Sequence, residues 1–196
     1  MKVSQLSGSL RANVGKKDAK AVRDSGQVPC VLYGAGSQIH FSVKDIAIEK
    51  LVFNPDVFQI ELDIDGTKAS AIIQDLQQDP LTDKVRHIDF LQLDAKKPVK
   101  IGLPVRLTGA SRGVMAGGKL MQVFRRLKVV ALPGDLPEAI TIDITKLRIG
   151  QSIRVADLSE QNPSLRFTDP ARAVVVAVKM ARGATKAAEV DDEDEE

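Results

Sequence analysis

Apolar and polar positions alternate along most of this chain in short runs, the period of strands with one face buried. VPCVLYG (28–34) and QIHFSV (38–43) are apolar runs separated by Gly34-Ala35-Gly36-Ser37, which predicts a hairpin. VFQIELDI (57–64) alternates, and Asp65-Gly66 predicts a tight turn before TKASAIIQDLQ. VRHIDFLQL (85–93) alternates again. Two helices interrupt the strands. One is predicted from Lys17 to Ser25, ending at Gly26; the other runs from Lys44 to Phe53, ending at Asn54-Pro55. A boundary is predicted near Asp94-Ala95-Lys96-Lys97-Pro98. Beyond it VKIGLPVRL, LMQVFRRLKVVAL, AITIDIT, SIRVADL and ARAVVVAVKM all read as strands, punctuated by Gly and Pro. That pattern predicts a sandwich or barrel. The fold class is therefore mainly β with a few helices, and alternating helices for a doubly wound α/β enzyme are lacking.

Composition narrows the function. The chain is 43% hydrophobic but only 4% aromatic, without Trp, so its cores must be aliphatic. The net charge of +2 hides an asymmetry: residues 184–196 carry −6 and residues 1–183 carry +8. A basic body with an acidic tail suits a polyanion binder better than a metabolic enzyme. Residues 183–196 lack apolar content and are expected to be disordered. Cys30 is the only cysteine, which excludes an internal disulfide framework. No apolar signal core and no apolar run near 18 residues is present, so a soluble cytoplasmic protein is expected.

Two constellations carry candidate chemistry. Lys16, Lys20 and Arg23 fall at i, i+4 and i+7 on one helix face, with Arg11 and Lys17 close by. Such a face is commonly just solvated, but five cations are opposed here only by Asp18 and Asp24. In the strand after them, Ile88 and Phe90 point one way while His87 and Asp89 point the other. A His–Asp pair also occurs in catalytic triads, yet no nucleophile motif accompanies this one and no spacing for metal ligands exists. A carboxylate beside a histidine can instead accept hydrogen bonds from a guanine edge. Tyr33 offers an amphipathic ring at a strand end, and Gln74 an amide that both donates and accepts. The run Gly113-Val-Met-Ala-Gly-Gly118 lacks the order of a phosphate-binding loop, since Leu120 stands where Ser or Thr is needed, and reads as a turn or bulged loop.

These pieces together resemble the bacterial family of large-subunit ribosomal proteins that bind 5S ribosomal RNA, which includes the general stress protein Ctc. The matching segments are the basic R-x-x-x-G-K-K opening at Arg11–Lys17, VPCVLYG, QDLQQDP (74–80) and HIDF (87–90). GVMAGGKL (113–120), LPEAITIDIT (136–145) and LRIGQSIRVADL (147–158) resemble the extra β domain of the family's long form. The resemblance implies an N-terminal β-barrel like the anticodon-binding domain of glutaminyl-tRNA synthetase, plus a second all-β domain. It implies contact with loop E of 5S rRNA through Arg11, Lys16, Lys20, Arg23, Tyr33, Gln74, His87 and Asp89, with Lys17 in the same basic cluster. The family's helix often has arginines and a serine; here it is lysine-rich and includes Asp18.

The resulting expectation is a non-enzymatic, cofactor-free constituent of the large ribosomal subunit. Residues 1–94 would bind 5S rRNA, 95–182 would face a neighbouring ribosomal protein or 23S rRNA, and 183–196 would form a tail. Neither membrane nor small-molecule substrate is implied. The alternative is a stress-linked RNA-binding regulator acting off the ribosome.

Overall fold

The computed structural model describes residues 2–34, 36 and 38–180. The predicted tail at 183–196, and Ala35 and Ser37 of the predicted turn, lie outside the described residues. The chain divides into two compact units. The first comprises 1–101 with 132–138, and the second comprises 102–131 and the residues from 139 onward.

The first unit is built on a closed six-stranded barrel. Its strands are β1 (Lys2–Leu10), β2 (Gln27–Tyr33), β3 (Ile39–Lys44), β4 (Phe58–Ile64), β5 (Thr67–Gln78) and β6 (Val85–Gln92). They close in the order β1-β3-β2-β6-β5-β4. Alternate residues of these strands fill the interior, among them Leu32, Phe41, Ile60, Leu62, Ile88 and Phe90, each almost fully buried. The rings of Phe41 and Phe90 meet with centroids 5.6 Å apart. With so few aromatics, this pair and a lining of Val, Ile and Leu make up most of the core.

The local chemistry explains the connections. Asp65 and Gly66 both adopt positive φ (46° and 90°), as the two-residue turn between β4 and β5 requires. Between β1 and β2, helix α1 (Lys16–Asp24) forms and packs against β2. Helix α2 (Asp45–Val52) packs against β2, β3 and β6 and buries Ile48. The hardest strand to read is β1, because Leu6 is its only buried residue. It is held by ladders on both sides instead, parallel to β4 and antiparallel to β3.

The second unit contains, apart from the first three residues of β7 (Val99–Thr108), a four-stranded and a three-stranded sheet. The first has the order β10 (Ile140–Asp143), β7, β9 (Arg126–Ala131), β12 (Arg166–Phe167). The second has the order β11 (Ser152–Arg154), β13 (Val174–Met180), β8 (Gly118–Gln122). The all-β expectation for this half needs correction, since two short helices occur: α3 (Arg112–Met115) and α4 (Val155–Gln161). SIRVADL is strand only up to Arg154. There the Asp157 carboxylate accepts the Arg154 N–H at 2.8 Å and caps the first turn of α4. The run LMQVFRRLKVVAL breaks in two because the N–H groups of Val123 and Phe124 both turn to the Val175 carbonyl (2.9 and 3.4 Å). The glycine-rich segment around 113–118 includes α3 rather than only a turn. Its glycines serve packing: a Cβ on Gly118 would sit 2.6 Å from the Gly113 carbonyl oxygen, and one on Gly113 2.7 Å from the Arg148 backbone.

Candidate nucleic-acid interface

Alternation along β6 sends Ile88 and Phe90 into the barrel and leaves His87 and Asp89 on its outer face. His87 Nδ1 lies 2.8 Å from Asp89 Oδ1, and each side chain remains about a third exposed (31% and 32%). The Nδ1–H donates to the carboxylate. In the neutral ring that leaves Nε2 as an outward acceptor, and the second Asp89 oxygen remains for an incoming donor. The pair thus presents acceptors of fixed position, suited to the amino and imino groups of a base edge.

Two bulges complete this face. Ile73 pairs with Phe90 but Asp75 pairs with Asp89, so Gln74 is an extra residue in β5. The bulge leaves Gln74 exposed and shifts the alternation, putting Asp75 opposite Asp89 and Gln77 opposite His87. Asp75 and Gln77 therefore share the face, a placement that counting from the apolar positions before the bulge misses. Asp75 and Asp89 are like charges directly across a ladder, an arrangement that works against folding. The second bulge is in β6. Gln77 pairs with His87 and Gln78 with Val85, so Arg86 is left outside the register. Its carbonyl accepts a bond from Arg23 Nη1 at 3.3 Å. That bond fastens the end of α1 beside the strand that carries His87 and Asp89.

Tyr33 ends β2 one register step beyond Leu32, the partner of Phe90. Partial burial first, then the nearby Asp89 and Asp75 carboxylates, push its phenol above the ordinary value. It therefore stays protonated near neutral pH and can donate.

The cations are not equivalent. Lys16, Lys17 and Lys20 are exposed on α1 and form no ion pair with a described residue. Lys16 and Lys17 open the helix, where the dipole disfavours positive charge, so a phosphate bound there relieves an unfavourable placement. Arg11 differs. Its side chain is only 9% exposed, and Nη2 is paired with Asp18. Its backbone N–H donates to the His40 carbonyl at 3.0 Å. Arg11 thus anchors the start of the loop to α1, and Asp18, which diluted the charge in the sequence, is consumed by it. The structure gathers Tyr33, Gln74, His87 and Asp89 on and beside β5 and β6, with Arg23 fastened to that region. It sets the lysines out on the helix and places Arg11 in a supporting contact.

Cys30 is fully buried, and burial pushes its thiol far up, away from the reactive thiolate. Among the described residues, no group of three or more His, Cys, Asp or Glu could hold a metal ion. No helix among them is long and apolar enough to cross a membrane.

Comparison with known proteins agrees over both units. Residues 6–90 match the model of the Ribosomal L25p family, and residues 98–182 match the C-terminal domain of ribosomal protein TL5. The large ribosomal subunit protein bL25 of Porphyromonas gingivalis is 44% identical over 190 residues, 96% of this chain and 98% of that protein. The bL25 of Bacteroides thetaiotaomicron is 40% identical over 193 residues, covering 96% and 97%. A barrel with a basic helix and a polar outer strand, and two matched segments spanning nearly the whole chain, lead to one assignment: the chain belongs to the ribosomal L25p family, in the form that carries a TL5-type C-terminal domain.

Proposed function

We propose that this protein is a structural constituent of the large ribosomal subunit that binds 5S rRNA. The observation that carries the reading is the Arg23–Arg86 bond, because it ties the end of the lysine-bearing helix to the strand that carries His87 and Asp89. Lys16, Lys17 and Lys20 neutralise phosphates, while Gln74, His87 and Asp89, with Tyr33 beside them, contact bases in the distorted loop E. Arg11 and Arg23 hold the helix in place and add positive charge. An A-form minor groove is wide and shallow enough for α1 to lie across it.

Residues 1–94 form the 5S rRNA-binding domain, with a barrel of the kind found in the anticodon-binding domain of glutaminyl-tRNA synthetase. Residues 95–182 form a second domain that faces other parts of the subunit, and 183–196 form an acidic tail. The protein works in the cytoplasm on the ribosome, without cofactor. Sedimentation of cell extracts tests the reading: the protein is expected with large subunits. Recovery mainly in the ribosome-free fraction, together with no 5S rRNA among crosslinked fragments, would overturn it in favour of a regulator acting off the ribosome.

A further inference from the structure

The charge of this molecule is not where its base-reading face is. Residues 1–97 hold thirteen Lys and Arg and thirteen Asp and Glu, a net of zero. Residues 98–182 hold fourteen Lys and Arg against six Asp and Glu, a net of +8. The whole positive excess of the body therefore belongs to the second half. Its distribution there is also uneven. Among the described residues, Asp143 is the only acid in the seven strands of that half.

The four-stranded sheet displays this charge on one face. Along β9, Leu127, Val129 and Ala131 are buried, so Arg126 and Lys128 lie on the opposite, exposed side. Arg166 of β12 is exposed and sits directly opposite Val130, which places it on that same side. Gly102 of β7 faces Arg126, its added Cβ falling 4.0 Å from the Arg126 Cβ. Alternation from Gly102 brings Arg106 to this face too, opposite Thr141. Four cations thus share one sheet surface, spaced by strands about 4.8 Å apart and alternate residues about 6.7 Å apart. Two acids of this half accept from backbone and hydroxyl groups. Asp143 accepts from the Thr145 N–H (2.9 Å) and hydroxyl (2.5 Å), and Asp169 from the Lys128 N–H (2.8 Å). The other sheet continues the theme, with Lys119 and Lys179 directly paired across β8 and β13. Like charges in register weaken a sheet unless a counter-charge is present.

We propose that the exposed face of β7, β9 and β12, through Arg126, Lys128 and Arg166 with Arg106 beside them, is a second RNA-binding surface that holds the phosphate backbone of a duplex without reading its sequence. This rests on the reading of the chain as a ribosomal RNA-binding protein. The face lacks an exposed aromatic on which a base could stack and carries mostly forked or flexible cations, which suit phosphates rather than bases. The wide, shallow minor-groove side of an A-form helix leaves its phosphates accessible to a sheet face of this kind. A protein partner would have to match this charge with acids, whereas the polymer abundant in a ribosomal subunit is RNA.

The test uses the full chain, a plain RNA duplex of about 20 base pairs without internal loops, and 5S rRNA, each titrated at several salt concentrations. The wild-type chain is expected to bind the plain duplex. The triple variant R126Q/K128Q/R166Q is expected to bind it at least about tenfold more weakly at low salt and to lower the salt slope by about two to three. Its affinity for 5S rRNA should fall much less, and its circular dichroism should be unchanged. The double variant R126K/R166K, with Lys128 kept, should retain duplex binding because point charges suffice for phosphate. Duplex binding that is unchanged in the Gln variant, while 5S rRNA is still bound, would overturn the second surface and leave the first intact. Loss of 5S rRNA binding by the wild type would overturn the ribosomal reading instead. The same pair is compared in chains ending at residue 183. A Gln effect that disappears without the acidic tail would mean that the cations serve the tail and not RNA.

Discussion

Asp89→Ala separates recognition by hydrogen bonding from simple charge attraction, because the two act in opposite directions. Removing a carboxylate from a surface that meets a polyanion relieves repulsion. For a phosphate about 8 Å away in a water-like dielectric that relief is about 0.5 kcal/mol. Against it stands the loss of an acceptor aligned by His87 at 2.8 Å, worth about 1–3 kcal/mol on the scale of a bidentate base contact. The net expectation is weaker binding by about 0.5–2.5 kcal/mol, roughly 2- to 70-fold. The fold should hardly notice. The exposed His87–Asp89 pair contributes about 0–1 kcal/mol, and the opposed Asp75 and Asp89 charges cost a similar amount. The assay is equilibrium binding of the wild type and variant to 5S rRNA and to a loop-altered 5S rRNA at fixed salt, with a thermal melt of each protein. Asp89→Ala should lose discrimination between the two RNAs while melting within a few degrees of wild type. A folded variant that binds as well as or better than wild type would refute the base-contact reasoning.

Binding of 5S rRNA should weaken by one to three decades between 50 and 200 mM salt, for about three to five phosphate contacts; a flat titration contradicts the role of α1. Lys16→Ala, Lys17→Ala and Lys20→Ala should each lower the salt slope by about one, whereas Arg11→Ala should lower thermal stability as well, because its largely buried guanidinium holds Asp18. A fragment of residues 1–94 should keep most of the 5S-specific affinity, and a fragment of 98–182 should bind 5S rRNA weakly; equal affinities would contradict the division. Phe90→Ala should destabilise the barrel by about 3–5 kcal/mol in denaturant titrations, since it empties a fully buried site against Phe41. The Leu81 N–H, foremost, with the Thr82 N–H and Arg86, holds the Asp79 carboxyl below its ordinary 3.8. The loop support it supplies is thus complete above pH 3.8 and is lost as pH falls through the lower folded value, so an ordinary Asp79 titration by NMR would refute it.

Local chemistry was enough for the elements whose signals lie within a few residues. Alternation in VFQIELDI and VRHIDFLQL, the Asp65-Gly66 turn and the Gly26 stop each depend on neighbours in the chain, and the strands and helices there match them. The shared face of His87 and Asp89 belongs to the same class, because a strand's period of two needs no partner to be true. Other features needed the fold. β1 has only Leu6 to bury and exists as a strand because two ladders claim its backbone groups. Asp75 and Gln77 share the outer face of His87 and Asp89 only because Gln74 bulges out of register, and a bulge is decided by pairing across strands rather than by sequence period. Arg11 reads as a free cation until the fold brings its side chain against Asp18 and covers it. The strand-like SIRVADL turns helical where Asp157 caps it, a local signal outweighed in the reading by β-branched residues beside it. Charge behaves the same way. Composition shows a basic body, but only strand register shows Arg126, Lys128 and Arg166 on one side of a sheet, because side-chain direction is a property of paired strands and not of their order in the chain.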